Sequence, residues 1–133
     1  MDILGVEHIG IAIKNIKNSG SFWELIFRNI DQKIEIIKDQ DVKTKIFDTG
    51  NGKIELLESI NDDSSIKRFL KKRESALHHI SIEVKNIEES IKELKEENIV
   101  FITENWSIGA EGYKIIFIHP KSTGGVLVEL TEK

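Results

Sequence analysis

Two histidines occupy matching positions of a repeated segment. Residues 6–19 (VEHIGIAIKNIKNS) align without a gap with residues 77–90 (LHHISIEVKNIEES), so that His8 falls on His79 at a shift of 71 positions. The chain has only 4 histidines, which makes this coincidence informative. Imidazole nitrogens serve as metal ligands and as proton carriers near neutral pH. The repeat therefore predicts that the two rings work as a pair.

A glutamate near the end of each repeat lies in similar surroundings. KIELLE around Glu55 and LVELTE around Glu129 each place an acid between aliphatic residues, at an offset of 74 positions. This offset is three positions longer than the shift of 71 between the histidines. The difference fits a longer loop in the second half, where GAEG and HPKSTGG supply turn residues. By strand alternation, both carboxylates should point away from the side chains that face the helices.

Taken singly, each of these four residues reads as an ordinary structural residue, but their pairing favours a metal site. Two imidazoles and two carboxylates neutralise a divalent ion and leave coordination positions open for water or substrate. The set predicts one divalent ion, Co, Ni, Mn, Fe or Zn, held by His8, Glu55, His79 and Glu129. Such an ion polarises a carbonyl, so that the adjacent C–H bond loses its proton. Glu129 is the predicted base, and Glu55 is the second catalytic candidate.

Hydrophobic periodicity indicates the elements that must position these side chains. Isoleucines at 9, 11 and 13 alternate with His8, Gly10 and Ala12, which predicts a half-buried strand. An amphipathic helix follows each such strand, with Phe22, Leu25 and Ile26 at helical spacing in the first copy and Asn86 as the N-cap of the second. Further strands are predicted at residues 34–38, 44–48, 53–58, 100–104, 114–119 and 126–131.

The predicted fold class is therefore α+β, built from two βαβββ modules that share a concave metal-binding cavity. The modules span residues 1–60 and 76–133, and a linker helix lies within 61–75, capped by Asp63 or Ser64. A chain of 133 residues has the size of one domain, so residues 1–133 are expected to form a single unit.

Composition excludes several function classes. The balance of 19 basic against 23 acidic residues, with Lys and Glu mixed along the helices, argues against a nucleic-acid partner. No apolar run is long enough to span a bilayer, so neither a membrane partner nor a targeting segment is expected, and the predicted location is cytoplasmic. The absence of Cys removes thiolate ligands, disulfides and cysteine nucleophiles.

At the four predicted ligands the chain resembles the vicinal-oxygen-chelate (glyoxalase/bleomycin-resistance/dioxygenase) superfamily, over nearly its whole length. HIGIAI, HHISIEV and the segment HPKSTGGVLVEL from His119 to Leu130 look most like the methylmalonyl-CoA epimerases of that group. The resemblance implies a glyoxalase-like fold, with His8, His79 and Glu129 as metal ligands and Glu55 where the family has Gln or Glu. It also implies a homodimer.

The function that this resemblance implies is epimerisation of a short branched acyl-CoA thioester, by proton abstraction next to a metal-polarised carbonyl. Two alternatives stay open: a lactoylglutathione lyase (glyoxalase I) that isomerises a hemithioacetal, and a non-catalytic metal- or drug-binding module. The partner is accordingly a small thioester or hemithioacetal. One departure affects the mechanism, because Thr44 stands where some epimerases carry a second acid.

Overall fold

The computed structural model describes residues 1–133 and divides the chain into two compact units. The central unit is Ile9–His78, and the terminal unit combines Met1–His8 with His79–Lys133. Strands β1 (Ile3–Ile13) and β5 (Ser75–Val84) each contribute residues to both units. Neither unit therefore has the same boundaries as one of the two modules predicted from the sequence.

The central unit contains three antiparallel strands and three short helices. Its strands are β2 (Asp31–Ile37), β3 (Val42–Asp48) and β4 (Lys53–Ser59), paired in the order β2-β3-β4. Its helices are α1 (Ile16–Ser19), α2 (Ser21–Ile26) and α3 (Ser65–Leu70), and the Ser64 hydroxyl caps α3 by accepting from the Lys67 amide. A 3₁₀ turn spans Lys38–Gln40. The core of this unit is formed by Ile11, Ile13, Ile16, Phe47 and Leu56.

The terminal unit packs one helix on its strands. Helix α4 (Ile87–Glu96) starts at Asn86, whose side chain accepts from the Glu89 amide and so confirms the predicted N-cap. Strand β8 (Val128–Glu132) runs parallel to β5 and antiparallel to β7 (Lys114–Ile118), which in turn pairs with β6 (Ser107–Ile108). 3₁₀ turns span Ala110–Gly112 and Pro120–Ser122. The core is formed by Val84, Ile87, Ile91, Phe101, Ile116, Ile118 and Leu130.

The prediction of a strand over residues 100–104 is wrong in its length, because only a short stretch around Phe101 pairs with a neighbouring strand. Hydrogen bonds from the His119 amide to the Val100 carbonyl, and from the Ile102 amide to the Phe117 carbonyl, give a short pairing beside β7. It stops there because the Thr103 hydroxyl donates to the Asn105 carbonyl, which holds the chain in a turn. The strand that continues the sheet is β6, farther along the chain.

The first predicted helix is divided in two at Gly20. The Gly20 amide still donates to the Ile16 carbonyl, but a Cβ at this position would lie 2.2 Å from that carbonyl oxygen, so only glycine fits. The change of direction also alters which side chains are buried. Trp23 and Phe27 pack against the core, whereas the predicted apolar face of Phe22, Leu25 and Ile26 is exposed.

No helix of the structure has the length and apolar character needed to cross a membrane.

Candidate metal centre

His8, His79 and Glu129 meet inside the terminal unit. Nε2 of His8 lies 2.8 Å from Nε2 of His79 and 3.5 Å from Oε1 of Glu129. The three ligand atoms lie within 4.8 Å of one another, and all three residues are buried. The two imidazole rings meet edge to face, with centroids 5.0 Å apart. Three of the four predicted ligands thus converge.

Strand pairing explains why these residues meet. Glu129 on β8 is the direct neighbour of Ser81 on the parallel strand β5 and of Phe117 on the antiparallel strand β7. His79 lies two positions before Ser81, so its side chain takes the same face of β5. The Phe117 ring stands edge-on to the His79 ring, at 5.4 Å between centroids, and closes one side of the imidazole.

A chain of hydroxyl groups holds the Glu129 carboxylate. The Thr131 hydroxyl donates to Oε1 of Glu129 at 3.0 Å and lies 2.6 Å from the hydroxyl of Ser81. Either hydroxyl can donate in the Ser81–Thr131 contact, and both hydroxyls lie within hydrogen-bonding reach of the Glu129 carboxylate. Ser81 and Thr131 are both fully buried, so bulk water does not compete for these hydrogen bonds.

Burial raises the pKa of Glu129 above the ordinary range of a glutamate. The electrostatic interaction with His8 and the hydrogen bonds from Ser81 and Thr131 oppose this shift, whereas the negative charge of Glu7 adds to it. A carboxylate with a raised pKa is a stronger proton acceptor than one in water, which suits a general base.

Glu7 is a buried carboxylate beside His8 that sequence reasoning missed. Its Oε1 lies 3.4 Å from Nδ1 of His8, and its Oε2 forms an ion pair with Nζ of Lys133 at 2.9 Å. A carboxylate on one ring nitrogen fixes the tautomer and leaves the other nitrogen for a metal. Strict alternation puts neighbouring residues on opposite strand faces, so the only signal in the sequence was the acid next to the predicted ligand.

The donor set fits a divalent ion. Bonds of 2.0–2.2 Å from an ion to nitrogen and oxygen place adjacent donor atoms about 3 Å apart, close to the separations of 2.8 Å and 3.5 Å found here. Imidazole nitrogens and a buried carboxylate are also the donors that borderline divalent metals prefer. The residues of the terminal unit can therefore hold such an ion.

Glu55 lies in the central unit, on β4. It is buried, at 3% exposure, and pairs across the sheet with Ile46. Its neighbours Ile54 and Leu56 belong to the hydrophobic core, so alternation turns the Glu55 side chain to the opposite strand face, as the sequence predicted. The assignment of Glu55 as a metal ligand stays a prediction.

The other two histidines have structural surroundings. The half-buried His78 ring stands edge-on to Phe69, at 4.8 Å between centroids, and desolvation lowers the pKa of His78 to about 4. Nδ1 of His119 accepts from the Lys121 amide at 3.1 Å and caps the turn that precedes β8.

Comparisons with known proteins agree with this architecture. A family model described as the Glyoxalase/Bleomycin resistance protein/Dioxygenase superfamily matches residues 7–117. The chain is 41% identical to an ethylmalonyl-CoA/methylmalonyl-CoA epimerase of Cereibacter sphaeroides over 132 residues, covering 96% of each chain. It is 37% identical to the uncharacterized protein YqjC of Bacillus subtilis, covering 96% of this chain and 91% of that protein.

A solved structure shows the same fold. The methylmalonyl-CoA epimerase of Mycobacterium tuberculosis superposes with a TM-score of 0.90 at 26% identity, covering 98% of this chain and 88% of the other. The predicted α+β fold with glyoxalase-like modules is therefore confirmed. The match of the family model over most of the chain and the 41% identity to an epimerase that it covers almost completely lead to one conclusion: this chain belongs to the Glyoxalase/Bleomycin resistance protein/Dioxygenase superfamily.

Proposed function

We propose that this protein is a metal-dependent epimerase of a short branched acyl-CoA thioester, of the methylmalonyl-CoA epimerase type. The observation that carries the proposal is the buried group of His8, His79 and Glu129, in which two imidazoles and a carboxylate bring their ligand atoms within 4.8 Å of one another. The epimerases among its relatives support the substrate class. The enzyme class is accordingly that of an isomerase.

His8 and His79 would hold the ion together with Glu129, and an ion bound there supplies Lewis-acid polarisation of the thioester carbonyl. The neighbouring α-carbon then carries an acidic proton, and Glu129 accepts it. Ser81 and Thr131 fix the direction in which the Glu129 carboxylate points. Glu7 keeps Nδ1 of His8 occupied, so that Nε2 is the free ligand atom.

Glu55 completes the proposed ligand set. The support comes from the internal repeat, since Glu55 occupies in the first module the position that Glu129 occupies in the second. Glu55 is also buried on β4, on the strand face opposite to the core residues Ile54 and Leu56. The metal is one of Co, Ni, Mn, Fe or Zn. A homodimer and a cytoplasmic location remain predictions.

The proposed activity can be tested with metal-free protein reconstituted with each of these metals in turn. A single epimer of methylmalonyl-CoA is supplied in D₂O, and inversion and α-deuteration are followed by NMR. The hemithioacetal of methylglyoxal and glutathione is supplied in parallel. We expect epimerisation that a chelator abolishes and added metal restores. Conversion of the hemithioacetal alone would instead assign a glyoxalase I activity, and inertness toward both substrates would favour a binding module.

A further inference from the structure

Lys133 follows β8 on the sheet face that carries the candidate metal ligands. Residues two apart on a strand share a face, so Lys133 continues the series of Glu129 and Thr131. Thr131 is the direct neighbour of Glu83 on the parallel strand β5, and Glu83 therefore lies on this face as well. Within the terminal unit, strand register thus brings a lysine and a glutamate next to the hydroxyl that holds Glu129.

The ammonium group of Lys133 contacts two carboxylates and an aromatic ring. Its Nζ lies 2.9 Å from Oε2 of Glu7 and 3.4 Å from Oε2 of Glu83. The same atom lies over the ring of Tyr113, 5.7 Å from the centroid, where the negative face of the ring attracts a cation. Three partners on different strands restrict a long, flexible side chain more than a single ion pair would.

The two ends of the contact between Lys133 and Glu7 differ in burial. The side chain of Glu7 is 3% exposed, whereas that of Lys133 is 40% exposed. Ion pairs between two exposed groups contribute little, because water solvates both ions when the pair breaks. Glu7 has no such solvation, and removal of the lysine would leave its buried carboxylate without this cation. The contact therefore constrains Glu7 more than a surface ion pair would.

The other oxygen of Glu7 reaches a candidate ligand. Oε1 lies 3.4 Å from Nδ1 of His8, while Nε2 of the same ring faces His79 and Glu129. Both oxygens belong to one planar carboxylate, so a cation that holds Oε2 also sets the position of Oε1. Carboxylates on the far nitrogen of a metal-binding imidazole fix its orientation and raise its basicity. Lys133 is thus linked to the His8 ring through a single carboxylate.

We propose that Lys133 is a positioning residue of the metal centre and acts through Glu7 on the imidazole of His8. The inference rests on the proposed function, since it takes His8 as a metal ligand. Lys133 itself supplies no ligand atom, because an ammonium group has three donors and no acceptor. Its effect is on the strength with which the site holds a divalent ion, and through that ion on proton abstraction.

The test compares two lysines of the terminal unit. Lys133→Met removes the ammonium group and keeps an unbranched side chain. Lys114→Met is the matched control, because Nζ of Lys114 also lies 3.3 Å from a glutamate, Glu132, and 4.8 Å from the centroid of the Trp106 ring. Glu132, however, accepts from a helix amide instead of contacting a candidate ligand. Metal-free wild type and both variants are titrated with Zn²⁺ and with Co²⁺ against a competing chelator.

Lys133→Met should bind Zn²⁺ about 10-fold more weakly than wild type, since loss of support for a ligating histidine has effects of this size. Lys133→Arg keeps the positive charge and should restore most of the affinity. Lys114→Met should bind Zn²⁺ as wild type does. Melting temperatures measured on the same samples separate metal affinity from stability, because a loss of stability alone would affect both methionine variants alike.

A double variant tests whether Lys133 acts through Glu7. In Glu7→Gln the carboxylate is absent, so the addition of Lys133→Met should lower the Zn²⁺ affinity by less than about 2-fold. NMR of the zinc-loaded protein gives a second measurement. The Nδ1–H proton of His8 should exchange slowly with water in wild type and in Lys114→Met, and faster in Lys133→Met.

Three outcomes would overturn the inference and leave the proposed function standing: unchanged Zn²⁺ affinity in Lys133→Met, equal weakening in Lys133→Met and Lys114→Met, or additive losses in the double variant. Wild type that binds neither Zn²⁺ nor Co²⁺ would overturn the proposed function, and the inference with it.

Discussion

Glu129, the proposed general base, is buried and is held in a fixed direction. Its carboxylate is held by Thr131, which in turn is held by Ser81, so two buried hydroxyls keep the carboxylate in one orientation. Fixed orientation increases the rate of proton transfer because the acceptor does not need to be reoriented in each turnover. At the scale of single residues, the chemistry therefore depends on side chains that never touch the substrate.

The variant Glu129→Gln tests the assigned role. An amide oxygen still coordinates a metal but cannot accept the α-proton, so we expect most of the metal to be retained and kcat/KM to fall by about 10²- to 10⁴-fold. Elemental analysis of the purified protein and deuterium exchange measured by NMR check the two parts separately. Glu96→Gln on the exposed surface of α4 is the control and should change neither. Undiminished exchange in Glu129→Gln would remove Glu129 as the base.

The structure brings His8, His79 and Glu129 together, as the repeat with matched histidines and glutamates indicated, and their assignment as metal ligands stays a prediction. Glu7 was not predictable in the same way. Its contact with His8 arises between sequence neighbours whose side chains start on opposite strand faces, and it depends on side-chain torsions that no spacing encodes.

At the scale of elements, one carboxylate ties the helix of each module to the strand that ends the module. Glu132 accepts from the Ile87 amide at 2.7 Å at the start of α4, and Glu58 accepts from the Ile16 amide at the same distance at the start of α1. Both glutamates follow the predicted ligand of their module by three positions. A helix start leaves amide groups without intrahelical partners, and a carboxylate there is favourable in charge as well.

The backbone hydrogen bond from Ile87 lowers the pKa of Glu132, and Lys114 contributes to the same effect. Because the folded-state pKa lies below the unfolded value, the stabilisation is present above the unfolded pKa and is lost as pH falls through the folded pKa. We expect Glu132→Gln to lower the free energy of unfolding by about 1 kcal/mol at pH 7, and the melting temperature by about 4 °C.

Thermal unfolding followed by circular dichroism at several pH values checks this prediction. The difference between Glu132→Gln and wild type should be largest near neutral pH and should vanish in acid, where the wild-type carboxyl is protonated. Glu96→Gln, on the exposed surface at the other end of α4, is the control for a change of net charge. A difference that is independent of pH would show that packing, and not the charged hydrogen bond, is responsible.

Elements with strong periodicity were predictable, and interrupted ones were not. The strands around His8, Glu55 and Glu129 follow from alternation, but the break at Gly20 depends on the distance between one Cβ and one carbonyl oxygen. Likewise, the turn after Ile102 depends on a hydroxyl hydrogen bond, which overrides the apolar residues that suggested a longer strand.

At the scale of the whole molecule, α2 leaves an apolar stripe uncovered. Phe22, Leu25 and Ile26 are 57%, 63% and 49% exposed, and their spacing puts them on one helix face. Contiguous exposed apolar side chains mark interaction surfaces in soluble proteins. We therefore expect the predicted homodimer to form through this stripe.

Sedimentation velocity at micromolar concentration checks the homodimer. Wild type should sediment as a dimer, and Leu25→Lys should shift the equilibrium toward monomer by at least 10-fold in Kd, since a buried unpaired charge at an interface is costly. The melting temperature of the Leu25→Lys monomer should change little, because the side chain is exposed within the chain. Lys92→Glu on α4 serves as the charge control. A wild-type protein that sediments only as monomer would contradict the prediction.

The terminal unit combines two separate stretches of the chain, and the ribosome makes these stretches at different times. The central unit, Ile9–His78, is a continuous stretch and has all its residues as soon as β5 begins to emerge. His8 is made earlier than any of that stretch, yet its partner Glu129 lies on the last strand to be made. His8 therefore waits for Glu129 during most of translation, and the proposed ion could be bound at this site only after β8 has left the ribosome.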